Sequence, residues 1–111
     1  MLLKFNQRGN TLVVALEGEL DHHSSESARV KIDNKIDETG AINLVFDFSG
    51  VNFMDSSGIG VVIGRYRKVA DFGGKVGIIN LRPNIKRVFE LGGLLKIIKE
   101  YNTLDEAVMN W

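Results

Sequence analysis

The sequence predicts an α/β fold in one compact domain, residues 1–111, built on a mixed β-sheet of four to five strands with about four helices. Three observations carry that reading. Short apolar runs of strand length alternate with stretches whose apolar residues recur every three or four positions. Glycine pairs and the single proline fall between those segments, where turns and helix ends are needed. A chain of 111 residues, 44% of them hydrophobic, supplies one core between two layers and leaves no room for a second domain.

Residues 2–6 and 11–17 are expected to form two strands joined at Arg8-Gly9-Asn10, since a Gly-Asn pair tolerates the positive φ of a tight hairpin. The second strand is apolar on both faces until Glu17, as befits a strand inside a sheet. It is expected to end at Gly18-Glu19-Leu20 in the polar loop Asp21-His22-His23-Ser24-Ser25. A helix of about 14 residues follows and ends at Gly40, with Ala28, Ile32 and Ile36 as its buried stripe. Arg29 and Asp33 on its outer side are spaced for an i,i+4 contact worth about 0.3 kcal/mol.

Ile42 to Phe48 is nearly continuous in apolar residues and is placed at the sheet centre. After it, Ile59, Val62, Ile63, Tyr66, Val69 and Ala70 mark a helix that stops at Gly73-Gly74. Val76 to Ile79 reads as a buried strand, and Pro83 opens a short helix that Gly92-Gly93 ends. Leu94 to Ile98 is expected to be a short strand or extended return. Thr103-Leu104-Asp105-Glu106 has the pattern of a capping box for a last helix. Strands joined through helices imply parallel neighbours.

Composition narrows function. Fourteen basic and fourteen acidic residues balance to a formal charge of zero, which argues against direct nucleic-acid binding or electrostatic anchoring to a membrane. The absence of cysteine excludes thiolate chemistry and disulfides. No signal-peptide pattern and no apolar run of membrane-spanning length is found, so a cytoplasmic protein is expected.

The residues with chemical potential cluster in Asp55-Ser56-Ser57-Gly58-Ile59-Gly60, where a strand hands over to a helix. A serine hydrolase would need a base, and the two histidines, His22 and His23, sit in another loop with no G-x-S-x-G elbow. Ser57-Gly58-Ile59-Gly60 offers helix-start N–H groups to an anion, but the phosphate-loop lysine is missing and Asp55 repels phosphate. Metal binding by Asp21, His22 and His23 is disfavoured because consecutive side chains seldom converge on one ion. Gly60 and Gly64 are expected to press α-helical backbone against a neighbour, leaving Gly58 open at the first turn. The serines themselves have a bland reading as helix caps, with Asp55 complementing the dipole. Two hydroxyls and a carboxylate in succession exceed what one cap requires.

Gly18-Glu19-Leu20-Asp21, Leu44-Val45-Phe46-Asp47-Phe48-Ser49, Phe53-Met54-Asp55-Ser56-Ser57-Gly58-Ile59-Gly60, Gly64-Arg65-Tyr66 and Gly74-Lys75-Val76 together resemble the bacterial anti-sigma factor antagonists of the STAS (sulfate transporter and anti-sigma factor antagonist) domain class, in particular those of sporulation. The likeness spans essentially the whole chain and implies a STAS-like fold. It implies further that Ser57 is a phosphate acceptor and that the protein is a regulator of transcription with no enzymatic activity. The implied partner is an anti-sigma factor that is also an ATP-dependent serine kinase. The unphosphorylated form would bind it and release the sigma factor, and a serine phosphatase would act transiently to restore that form. No cofactor or metal is implied, because the kinase brings the nucleotide. The partner-binding surface is expected to comprise Asp21, Asp55, Ser56, Ser57, Gly58, Ile59 and Arg65. The alternative is a nucleotide- or anion-binding STAS-like module without a kinase partner.

Overall fold

The computed structural model describes residues 1–111. Its five-stranded sheet has the order β1-β2-β3-β4-β5. The edge strand β1 (Leu2–Arg8) is antiparallel to β2 (Thr11–Leu20), and β2, β3 (Asn43–Met54), β4 (Val76–Ile79) and β5 (Lys99–Tyr101) are parallel neighbours. Gly9, at φ +57°, turns the hairpin where Arg8 pairs with Thr11. The helices are α1 (Ser25–Thr39), α2 (Ser56–Asp71), α3 (Pro83–Leu91) and α4 (Leu104–Met109).

Crossovers of one hand that always step in the same direction across a sheet put their helices on the same face. The core obeys this. Leu12, Val14 and Leu16 of β2, Leu44, Phe46 and Phe48 of β3, and Ile78 of β4 pack with Ala28, Ile32 and Ile36 of α1, Val62 and Val69 of α2, and Ile85 and Phe89 of α3. The residues between them in sequence, Val13, Val45 and Ile79, point the other way and pack under α4 through Tyr101 and Ala107. Thr103 caps α4 by accepting the Glu106 N–H at 3.1 Å.

Two strands run further than their apolar pattern indicates. β2 does not end before Gly18-Glu19-Leu20 but continues through it, and β3 does not end at Phe48 but at Met54. Two register shifts hide this, one between Ala15 and Glu17 and one between Gly18 and Glu19, where β3 takes up extra residues. Such bulges break the period of two by which a strand is recognised. At the first of them a Cβ on Gly50 would lie 2.6 Å from the Glu17 Cγ and 2.8 Å from the Leu16 carbonyl, so the strands approach this closely only with glycine there. The expected strand at Leu94–Ile98 is also displaced. Leu94–Lys96 form one 3₁₀ turn that buries Leu94 and Ile98, and pairing with β4 begins only at Lys99.

The helix layer is closed by charge as well as by apolar packing. Arg65 on α2, only 7% exposed, brings its Nε within 2.7 Å of Asp33 Oδ1 on α1. Asp33 Oδ2 lies 3.6 Å from Arg29, the expected i,i+4 contact, and Arg29 also pairs with Glu26. The Arg65 N–H is not aimed along the 2.7 Å line, so the two atoms are held by charge without an aligned hydrogen bond. Burial pushes the Arg65 guanidinium below its ordinary pKa, and the Asp33 charge opposes that shift.

Removing one member of such a pair strands the other. Arg65→Ala is expected to cost about 2 kcal/mol in a urea melt, below the roughly 3–5 kcal/mol of a fully buried pair because Asp33 keeps some water. The double change Arg65→Met with Asp33→Leu should recover most of that loss. A double variant no more stable than Arg65→Ala would mean that the charge pairing itself, rather than relief from an uncompensated charge, holds α1 to α2.

Candidate functional site

The extra length of β2 and β3 delivers two loops to one edge of the sheet. Leu20 pairs with Met54, the last residues of both strands, and the Asp55 N–H reaches the Leu20 carbonyl at 3.3 Å. Asp21 and Asp55, each the residue after its strand, therefore stand side by side above the sheet.

The start of α2 is fixed from below. Gly58 is buried, and a Cβ there would collide with Met54 Cγ while lying 2.9 Å from its Sδ and 3.0 Å from Leu20 Cγ. Gly60 and Gly64, by contrast, face open space: a Cβ at either meets nothing within 4 Å. The expectation was the reverse. The first turn of α2 sits directly on the last residues of β2 and β3, so the close approach falls at Gly58, and the outer track of the helix runs through Gly60 and Gly64.

The cap is also assigned differently. Asp55, in extended backbone conformation, is the N-cap, and its Oδ1 accepts the Ser57 N–H at 2.8 Å. The serines occupy the first two helical positions and cap nothing. Neither hydroxyl takes part in a side-chain hydrogen bond; Ser56 is exposed and Ser57 half-buried. Asp55 thus supplies both the cap and the charge that favours the positive helix end.

The neighbouring loop is held in a similar way. Asp21 Oδ1 accepts the Ser24 N–H at 3.0 Å and the His23 N–H at 2.9 Å, which together outweigh desolvation and hold the carboxyl below its ordinary pKa. Ser24 Oγ accepts the Asp21 N–H at 3.0 Å and donates to the Glu19 carbonyl at 2.7 Å. Ser24 is the residue that sequence reasoning passed over, although Asp followed three residues later by Ser is the pattern of such a turn. His22 and His23 are exposed, with ring centroids 5.8 Å apart, and no three His, Asp or Glu side chains converge.

Of the expected surface, Asp21, Asp55, Ser56 and Ser57 come together, with Gly58 as their floor. Ile59 is half-buried and packs against the core. Arg65 does not join them. Eight residues along α2, about 12 Å at the helical rise, it turns inward to Asp33.

A sheet of this order, with three helices on one face and an Asp-Ser-Ser-Gly helix start at the end of its central strand, has counterparts. The sequence matches the STAS domain over residues 3–107. The chain belongs to the STAS domain family. It is 34% identical over 100 residues to the anti-sigma F factor antagonist of Paenibacillus polymyxa, covering 90% of this chain and 86% of that protein. Among solved structures, the anti-sigma factor antagonist SpoIIAA in its unphosphorylated form superposes with a TM-score of 0.74 at 30% identity, covering 98% of this STAS chain and 96% of the other. The Bacillus cell fate determinant SpoIIAA in the phosphorylated form gives 0.75 at 33% identity, covering 98% of each.

The division of roles at the α2 start has a direct consequence for stability. Asp55→Ala should cost about 1 kcal/mol through loss of the cap, whereas Ser56→Ala and Ser57→Ala should each stay within about 0.5 kcal/mol. Thermal melts of the three variants measure this, and a loss at either serine equal to that at Asp55 would transfer the capping role.

Proposed function

We propose that this STAS protein is an anti-sigma factor antagonist switched by phosphorylation of Ser57. In its unphosphorylated form it binds an anti-sigma factor that is also a serine kinase, and the sigma factor is released. Phosphorylation ends that binding, and a serine phosphatase reverses it. The protein acts on transcription through protein contacts in the cytoplasm, without touching nucleic acid. The observation that carries this reading is the free Ser57 hydroxyl at the start of a helix whose cap is provided by Asp55. The relatives support it, since they include anti-sigma factor antagonists and a determinant solved in both phosphorylation states. No helix is long and apolar enough to cross a membrane.

Ser57 is suited to the role because modification there leaves the fold intact. A phosphate adds about −1.5 to −2 charges at pH 7, and a helix N-terminus tolerates anions. The effect is felt outside the fold. Asp55 and Asp21 already make this edge negative, and the added charge must be desolvated when a partner closes on it, which disfavours a partner surface that is apolar or acidic there. Ser56, exposed beside it, is a neighbour in the contact rather than the acceptor. Arg65 drops out of the contact surface because its charge is committed to Asp33.

Gly60 and Gly64 extend the face. A glycine inside a helix costs up to about 1 kcal/mol relative to alanine, and neither residue returns that cost in packing within this chain. Both lie on the outer side of α2 that begins at Ser56, where their lack of a side chain allows a partner's surface to lie directly on the helix.

Incubation with the kinase and ATP, followed by mass spectrometry of the peptide spanning residues 47–65, should place the phosphate on Ser57. Ser57→Ala should lose the label and keep kinase binding, while Ser57→Asp should bind about tenfold or more weakly, the scale of introduced like-charge repulsion. Label persisting in Ser57→Ala but lost in Ser56→Ala would move the acceptor by one residue.

A second expectation concerns the glycines. Gly60→Ala and Gly64→Ala should each raise stability, by up to about 1 kcal/mol, and weaken kinase binding in a titration. Raised stability with unchanged affinity would take this part of α2 out of the contact.

A further inference from the structure

The sheet edge opposite Ser57 holds a slot of about 570 Å³ between the C-terminal half of α2, the Gly73-Gly74 turn, the starts of β4 and β5, and the segment after α4. That volume falls in the roughly 300–1,000 Å³ range of clefts that hold small molecules. Three aromatic side chains line it, Tyr66, Tyr101 and Trp111, together with Lys75 and Lys99.

Its back wall is built rather than incidental. Tyr101 and Trp111 meet edge to face with centroids 6.0 Å apart, and the Trp111 Nε1 donates to Thr11 Oγ1 at 3.1 Å. They lie so close over Gly77 that a Cβ there would stand 3.0 Å from the Tyr101 ring and 3.2 Å from the Trp111 ring. The absence of a side chain at Gly77 lets the rings settle onto the strand. Tyr66, half-buried on α2, lines the slot from the face of the sheet that carries α1 to α3, and Tyr101 and Trp111 line it from the α4 face; neither tyrosine hydroxyl is hydrogen-bonded within the protein.

Charge distinguishes this slot from the other cavities. The groove beside Asp21 is lined by Glu19 and Asp21 as well as Lys31, and the one beside β5 contains Glu100 paired with Lys86 at 3.0 Å. No carboxylate side chain lines the slot. Lys75 forms no ion pair, and Lys99 stacks over the Tyr101 ring at 5.3 Å without meeting an acid. Aromatic walls bind flat rings through their faces and edges, and unpaired ammonium groups at the rim favour an anion.

We propose that this slot is a binding site for a small planar aromatic anion, such as an aromatic carboxylate. The ring lies at the open end of the sheet between Tyr66 and Trp111, with the buried Tyr101 supporting Trp111 from behind, and the carboxylate is met by Lys75 and Lys99. The site is independent of the Ser57 switch and requires no nucleotide.

Titration of the ¹⁵N-labelled protein with 2-naphthoate, followed by heteronuclear NMR, tests this. Trp111 is the only tryptophan, so its indole N–H cross-peak reports on the slot directly. The expected result is a saturable shift of that peak and of the Gly73–Val76 amides. The neutral 2-naphthylmethanol should bind more weakly. Lys75→Gln with Lys99→Gln should weaken 2-naphthoate by more than about tenfold, since one lost charge-assisted contact is already on that scale, with the dispersed amide spectrum of the folded protein retained. The absence of saturable shifts into the millimolar range, shifts centred on another cavity, or equal binding of the neutral analogue would each overturn the proposal.

Discussion

The parallel pairing of β2 with β3 is carried to Leu20 and Met54 by two bulges, and the geometry of the Ser57 edge descends from it. Parallel strands end on the same side of a sheet, so the loops that follow them are neighbours however far apart they are in sequence. Had β2 stopped at Glu17, Asp21 would hang from a mobile connection instead of standing next to Asp55. The same extension places Leu20 and Met54 under Gly58 as a two-residue apolar floor. Strand pairing therefore sets both the position of the acidic loop and the height at which the helix begins.

On that floor the residues of Asp55-Ser56-Ser57-Gly58 have separate tasks. Asp55 caps, Gly58 permits contact with the sheet, and the two hydroxyls are left without structural work. A serine at an N-cap is consumed by accepting a first-turn N–H; here the carboxylate before the serines takes that bond instead. A hydroxyl that holds nothing together can be esterified at little cost to folding. This is a physical condition for a reversible modification, and both Ser56 and Ser57 meet it.

Much of this was legible in the sequence. The alternation of buried strands with amphipathic helices, the hairpin at Gly9, the stripe of Ala28, Ile32 and Ile36, and the Thr103 cap follow from local rules and are all present. The ends of β2 and β3 were not legible, since Ser49-Gly50 and Asn52 interrupt the apolar alternation where the strand bulges. Tertiary contacts decided the rest. Nothing local distinguishes Gly58 from Gly60 as the packing glycine, or shows that Arg65 turns inward while Arg67 turns out. Those assignments depend on which side of α2 meets the sheet and α1.

That orientation divides α2 lengthwise. Val62, Arg65 and Val69 are committed to the protein interior, and Ser56, Gly60 and Arg67 face away from it. The buried side needs more than apolar contact, because α1 and α2 lie next to each other on the same face of the sheet and the Asp33 charge must be met. Arg65 supplies that charge from within the layer, so the outer side is not needed to hold the helix in place. The outer track is consequently free to carry glycines that weaken the helix and to begin at an unprotected hydroxyl. Stability is thus assigned to one side of the helix, and the other side is left unpacked by the rest of the chain.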